Sequence, residues 1–299
     1  MLKRTLVFTN ACKLSLRDGQ LRYRSNGTEG SVDRQIPLED IGFVLLESHS
    51  ITITSGLLCA LEQNNTAVIL CDETHHPCAV MQSFNCNTTH SETLRFQIEA
   101  GLPLKKRVWR DVVIAKINNQ AALIDLCGGD GDQVRCYVKS VKSGDSDNRE
   151  GIAAKTYWSL LFGETGFRRM RAGDMPNPLL NYGYAVLRAA AARALICSGL
   201  YCAIGVHHHN RYNAFCLVDD FMEPYRPFVD RIVAQVMQEG LADDEITTEV
   251  KQHLLSVLSC DVSFASRKRP LMVALSESSA SLARCFRGEE KTPCFPTLE

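Results

Sequence analysis

The spacing of apolar residues changes once along the chain, and that change limits the folds open to it. Up to about residue 85 they come in short runs separated by turn residues, the signature of strands. Thr5 to Thr9 is one such run, and Ile41 to Leu46 is almost continuously apolar, as a buried strand requires. Lys13 to Arg17 and Leu21 to Arg24 flank Asp18-Gly19, a hairpin signal. Ser55 to Glu62 has helical spacing, with Leu57, Leu58 and Leu61 on one side. Ala67 to Cys71 is a further strand, ended by the polar turn Asp72 to Pro77. The stretch Asn85 to Ser91 is polar and aperiodic, so the domain boundary is placed there. Beyond it the period becomes helical. Val108, Val112, Ile114, Ala115, Ile117 and Leu123 lie in one long run. Ile152 to Phe162, Leu187 to Cys197, Pro227 to Met237 and Glu249 to Leu258 continue the pattern, broken by a Gly-, Pro- and Arg-rich segment from Gly163 to Asn181.

Strands followed by helices argue for segregated domains and against a doubly wound sheet. The expected fold class is α+β: a small N-terminal β-rich domain followed by a larger all-α domain. The expected boundaries are 1–85 for the β-rich domain, 86–92 for a linker and 93–299 for the helical domain.

Composition excludes several classes. Hydrophobic residues at 45% and charged residues at 22% describe an ordinary soluble globular protein. A formal net charge of -1 means that any nucleic-acid-binding surface must be local. The 13 cysteines are odd in number and none is spaced as C-x-x-C, which argues against a disulfide framework. Residues Met1 to Asn10 turn polar too soon for a signal peptide, and no apolar run reaches the ~18 residues of a membrane span. The reading is a cytoplasmic protein with no membrane partner, whose reduced thiols act largely as small buried hydrophobes.

The densest chemical cluster is His207-His208-His209-Asn210-Arg211-Tyr212-Asn213 followed by Asp219-Asp220-Phe221-Met222-Glu223-Pro224-Tyr225-Arg226-Pro227. Asp220 and Glu223 share a face if a helix begins near Asp219. Imidazole with carboxylates suits Mg²⁺ or Mn²⁺ and is a poor set for structural zinc. The plainer account is a polar loop followed by an N-capped helix. Glu150 taken alone is a first-turn acid that suits the helix dipole. Cys71, His75, His76 and Cys78 form a second possible cluster, crowded into one turn and read here as closing the first domain. Basic residues gather in three runs: Lys105, Lys106, Arg107 and Arg110; Arg168, Arg169 and Arg171; and Arg267, Lys268 and Arg269. Each alone is a solvated face, but together they suit a local phosphate-binding surface.

Taken together these segments resemble a known family. Asn177 to Tyr184 and Asp220 to Asp230 are similar to the CRISPR-associated adaptation integrases, the Cas-one family. Cys71-Asp72-Glu73 with His75 and Pro77 resembles the end of that family's first domain. The likeness runs over essentially the whole chain, and the segments around His208 and Glu223 are most similar to the type II branch. The resemblance implies a catalytic and metal-binding set of Glu150, His208 and Glu223. Asp220 is a possible auxiliary, and His207 and His209 stand as alternatives to His208. It implies Mg²⁺ or Mn²⁺ as cofactor. The implied activity is metal-dependent DNA integration and endonuclease cleavage in CRISPR adaptation: the 3′-hydroxyl of a short fragment attacks a phosphodiester at the repeat border. Partners implied are double-stranded DNA, a second copy through the β-rich domain, and the Cas-two protein in a heterohexamer. In type II systems the Csn-two protein or Cas-nine joins them. Candidate DNA-binding residues are Arg168, Arg169 and Arg226, with Tyr184 and Arg188 four apart on one helix face. A stand-alone structure-specific nuclease and a non-catalytic DNA-binding scaffold remain the competing readings.

Overall fold

A computed structural model describes residues 4–25, 33–73, 75, 77–81, 87–163, 167–242 and 246–299. They divide into two compact units, Met1–Cys86 and Asn87–Glu299.

The first unit carries two four-stranded sheets. One has the order β1 (Arg4–Phe8), β5 (Ile41–Leu46), β7 (Ala67–Cys71), β8 (Pro77–Met81), parallel except for the β7–β8 pair. The other has the order β4 (Asp33–Pro37), β3 (Gln20–Ser25), β2 (Cys12–Arg17), β6 (Thr52–Ile53). The β2–β3 hairpin turns on Asp18 and Gly19, both at positive φ (49° and 71°), the conformation that the hairpin twist demands. Every residue of β5 is buried, as its unbroken apolar sequence requires. Helix α1 (Ser55–Gln63) joins β5 to the parallel β7, because a parallel pair needs a crossover. Its Leu57 and Leu61 pack with Leu14, Leu21, Ile41, Val44 and Val68 in one core.

The second unit is helical. It contains α2 (His90–Glu99), α3 (Leu102–Leu126), the short α4 (Asp132–Arg135), α5 (Arg149–Phe162), α6 (Asn177–Cys197), α7 (Cys216–Phe221), α8 (Arg226–Gln238), α9 (Thr248–Leu255) and α10 (Leu271–Arg287). Two expectations are corrected. This unit is not all-α, because β9 (Asp261–Phe264) and β10 (Arg267–Pro270) form an antiparallel hairpin. Its turn residues Ala265 and Ser266 sit at positive φ without the glycine or asparagine that would announce it. The basic run Arg267 to Arg269 is therefore strand. The expected linker 86–92 is also not all linker. His90 begins α2, and Asn87 already belongs to the second unit, its side-chain amide donating to the Cys197 carbonyl at 3.0 Å. Residues 85 and 86 lie outside the described residues.

Helix α3 is the spine of this unit. It buries Trp109, Val112, Val113, Lys116, Asn119 and Gln120, spaced three or four apart along one face. Among the described residues every cysteine is a free thiol. Burial pushes the Cys202 thiol up to about 12, and those of Cys260 and Cys285 up to about 11, so these thiols stay protonated and unreactive. No helix is long and apolar enough to cross a membrane.

Candidate active site

Glu150 lies in the first turn of α5, where a carboxylate meets the positive end of the helix dipole. Other acceptors satisfy the free N–H groups of that turn. Asn148, in the left-handed conformation, accepts from the Gly151 N–H at 3.3 Å. Asp145 accepts from the N–H groups of Arg149 and Glu150 at 2.8 and 3.0 Å. The Glu150 carboxylate is thereby left to pair with the Lys116 ammonium.

Glu223 opens a 3-10 turn, Glu223–Tyr225, between α7 and α8, and is 7% exposed. Its Oε2 lies 2.5 Å from Lys116 Nζ, and its Oε1 lies 2.9 Å from the Arg226 guanidinium. Burial pushes the Glu223 carboxyl up, but Arg226 and Lys116 outweigh it and the net direction is down. Burial likewise favours a neutral Lys116, yet Glu223 and Glu150 overcome it, so both carboxylates face an ammonium. Asn119, one turn along α3 from Lys116, fixes this turn from below. Its amide donates to the Pro224 carbonyl at 2.7 Å and to the Pro296 carbonyl at 3.0 Å, and its oxygen accepts from the Leu298 N–H at 3.1 Å.

The histidine loop is anchored at both ends. Gln97 of α2 donates to the carbonyls of Tyr201 and Ile204 at 3.0 and 2.9 Å and accepts from the Tyr201 N–H at 2.8 Å. Asp220, 1% exposed, holds the other end. Its Oδ2 accepts from the N–H groups of Val206 and His207 at 2.7 and 2.9 Å, and its Oδ1 accepts from the His208 N–H at 3.2 Å. Position 205 is glycine for want of space: a Cβ there would stand 2.3 Å from the His208 carbonyl oxygen and 2.8 Å from Asp220 Oδ2.

The three adjacent histidines have different surroundings. His207 stacks flat on Trp109, ring centroids 4.1 Å apart and 3° between planes, and burial pushes its pKa down. His208 places Nδ1 2.6 Å from Asp220 Oδ1. A carboxylate that already takes three N–H bonds can only accept, so Nδ1 carries the proton and Nε2 is left open. The hydrogen bond to Asp220 raises the His208 pKa above its ordinary value, against the opposing pull of burial, and the nearby charge of Glu223 adds to the rise. His209 is exposed. The expectation that Asp220 and Glu223 share one helix face is corrected. Helix α7 begins at Cys216 and ends at Phe221, so Asp220 turns to the histidine loop and Glu223 to Lys116.

Behind the carboxylates lies a buried polar group. Asp230 accepts from the Tyr157 hydroxyl at 2.7 Å and from the Tyr184 hydroxyl. Burial raises its carboxyl to about 6, although both tyrosines and Arg226 oppose the rise. The guanidinium groups of Arg226 and Arg169 lie 4.7 and 5.3 Å from the Tyr184 ring centroid. Helices α6 and α8 come this close because position 183 is glycine, whose Cβ would stand 2.4 Å from a Val229 methyl. Tyr184 is 7% exposed and its hydroxyl donates to Asp230. Arg188 is tied to Asp219 at 2.7 and 3.0 Å and to Asn213 at 3.0 Å, bracing the end of the histidine loop. Arg169 bonds to Asn177 and Asn181 at 3.0 and 2.7 Å, while Arg168 is exposed.

Glu150, Glu223 and His208 offer two carboxylates and an imidazole, hard donors that suit Mg²⁺ or Mn²⁺. Two of those donors already converge on one cation, which is the lysine ammonium. Among the described residues no three His, Cys, Asp or Glu side chains are arranged to hold a metal as they stand. Of the second cluster, Cys71, His75 and Cys78 fall among those residues. His75 pairs with Glu47 at 3.3 Å, Cys78 donates to the Leu70 carbonyl at 3.4 Å, and His76 lies outside the described residues. Sequence reasoning missed Lys116, Trp109, Asn119 and Asp145. The available signal was a lysine and an asparagine inside the buried stripe of α3, where an amphipathic helix ordinarily places apolar residues.

Residues 5–258 match the family described as CRISPR associated protein Cas1. The chain is 36% identical to the CRISPR-associated endonuclease Cas1 of Neisseria meningitidis serogroup C (strain 8013), over 94% of this chain and 91% of that one. Its fold is similar to that of a casposase bound to integration product, at a TM-score of 0.79 and 20% identity, over 97% of this chain and 92% of that one. It is also similar to a chain of a Cas6-RT-Cas1–Cas2 complex, at a TM-score of 0.70 and 18% identity, covering 97% of this chain and 35% of that one.

Proposed function

The chain belongs to the Cas1 family, and we propose that it is a divalent-metal-dependent DNA integrase and endonuclease of CRISPR adaptation, with Glu150, His208 and Glu223 as its ligand set. The observation that carries this reading is the convergence of Glu150 and Glu223, from separate elements, on a single cation position, with His208 close enough to Glu223 for each charge to shift the other. A Mg²⁺ or Mn²⁺ ion held there supplies Lewis-acid polarisation of a phosphodiester and makes a bound hydroxyl or water a better nucleophile.

The protein's own part is orientation and charge. Asp220 holds the His208 ring through Nδ1 and leaves Nε2 outside that bond, the second-partner arrangement usual for metal-bound histidine, and acts as the auxiliary residue. Arg226 and Arg169 present positive charge beside the carboxylates, and exposed Arg168 extends it. These arginines hold phosphate and position DNA without reading its sequence. Tyr184 and Arg188 act indirectly, Tyr184 as the platform for the two arginines and Arg188 as the brace of the histidine loop.

The partners proposed are double-stranded DNA, a second copy of the chain through the first unit, and Cas2, with Csn2 and Cas9 joining in a type II system. The likeness to an integration-product complex and to a Cas1–Cas2 assembly supports DNA and Cas2. The direct test mixes the chain with Cas2, Mg²⁺ or Mn²⁺, a short duplex bearing free 3′-hydroxyls and a repeat-bearing DNA. Covalent joining at the repeat border is expected. Cutting without joining would leave a stand-alone nuclease, and neither activity would leave a scaffold.

The raised His208 pKa gives a pH dependence with a definite sign. The proton that Asp220 favours must leave before Nε2 can ligate. Mn²⁺ affinity is therefore expected to be level at alkaline pH and to begin falling above pH ~6.5, steepening to about tenfold per unit below the His208 pKa. In the metal-free chain the linkage runs the other way. The contribution of His208 to stability is fully present below ~6.5 and is lost as pH rises through its folded pKa. Calorimetric titration of Mn²⁺ across pH checks the first, and an affinity unchanged down to about pH 5 would exclude His208 as a ligand.

A further inference from the structure

We propose that Lys116 is an internal counter-cation that holds Glu150 and Glu223 in place of the metal, and that a divalent ion loads the site only by displacing the lysine ammonium. This rests on the reading of Glu150 and Glu223 as metal ligands. Lys116 projects from the middle of α3, its side chain 8% exposed, and pairs with both carboxylates. The charged groups that act on it most strongly are Glu223, Glu150 and Arg226, and the buried Asp230 lies within its field. Lys116 and Arg226 together balance the charges of Glu150 and Glu223 without a metal.

A divalent ion bound between the same two carboxylates would share both acceptors with an ammonium. An ammonium and a divalent ion held between the same two carboxylates repel each other at contact distance, so binding of the metal favours departure of the lysine. The lysine can do so without disturbing α3, because its charge rides on a flexible four-carbon stem. Glu223 Oε2 is poised for the exchange. It is buried, and Lys116 Nζ lies 2.5 Å away. A carboxylate oxygen that pairs with an ammonium can pair with a hard metal ion in its place. Exchange of a monovalent cation for a divalent one adds positive charge between the carboxylates, which a DNA phosphate offsets in part. Metal and DNA should therefore each tighten binding of the other.

Lys116 is thus a positioning residue, and its test reads binding and accessibility rather than turnover. In the full-length wild-type chain, amine acylation followed by mass spectrometry compares Lys116 in EDTA and in Mn²⁺, with exposed Lys139 and Lys155 as internal references. Lys116 is expected to be shielded in EDTA and labelled several-fold faster with Mn²⁺. Free Mn²⁺ measured by electron paramagnetic resonance should show Lys116→Gln binding at least about tenfold tighter than wild type, since the competing cation is gone. If Glu150→Gln weakens Mn²⁺ binding while Lys116 labelling is unmoved by Mn²⁺, the counter-cation proposal fails and the metal site stands. If Glu150→Gln does not weaken Mn²⁺ binding, both fall. Should Lys116→Gln not fold, the wild-type labelling decides alone.

Discussion

Replacing Glu150 by alanine is expected to abolish metal-dependent cutting and joining of DNA, with a rate loss on the order of a thousandfold. The size follows from what the carboxylate does. It is one of only two charged oxygen donors converging on the cation position, and the other, Glu223, is already shared with Arg226. Losing a metal ligand forfeits several kcal/mol of charge stabilisation, at ~1.4 kcal/mol per tenfold in rate. The fold should survive. Glu150 sits partly exposed in a helix turn whose N–H groups are capped by Asp145 and Asn148, so no buried donor is orphaned. Lys116 keeps its pairing with Glu223. Gel filtration and far-ultraviolet circular dichroism should match wild type. Full activity in a folded Glu150→Ala chain would remove the proposed site.

Asp220→Ala is the second large effect, and it strikes fold and site together. The carboxylate satisfies the N–H groups of Val206, His207 and His208 and also holds the His208 ring. Each buried donor left without a partner costs about 1–3 kcal/mol, so the loss of stability should reach roughly 3 kcal/mol or more. The freed imidazole should lower Mn²⁺ affinity by about 10- to 100-fold, as is usual when the partner behind a metal-binding histidine is removed. Chemical denaturation measures the first and Mn²⁺ titration the second. An Asp220→Ala chain with wild-type stability and metal affinity would show that the loop holds itself. Asp220→Asn should fall between, since its amide keeps one acceptor oxygen but loses the charge.

Local features were the legible ones. The run Ile41 to Leu46 forecast a strand buried throughout, and Asp18-Gly19 forecast its hairpin, because each needs only neighbouring residues to be recognised. The change of period near residue 85 forecast the passage from strands to helices for the same reason. The hairpin at Asp261–Pro270 was missed because Ala265 and Ser266 adopt positive φ without the residues that favour it. At the site, only the neighbourhood of His208 and Glu223 could be suspected from spacing, and Glu150 entered through resemblance. Lys116 was invisible because its nearer partner is 34 residues away and no helical period links them. The contacts of Asp220 with the histidine loop could not be read from spacing because they depend on where α7 begins. That start, at Cys216, was not marked by the acids that were taken as a cap.

Helix α3 also sets a rule for how this chain can change over time. Trp109, Lys116 and Asn119 support the histidine loop, the two carboxylates and the Glu223 turn, each in a separate segment of the chain. Any one of these contacts can be lost by substitution while the others persist. One residue gained or lost between Trp109 and Lys116 is different in kind, since it turns the rest of the helix by ~100°. Lys116 and Asn119 would then leave their partners at once while Trp109 stayed. Drift in related chains should thus run through exchange of residues along α3, with changes of length confined to the loops around it.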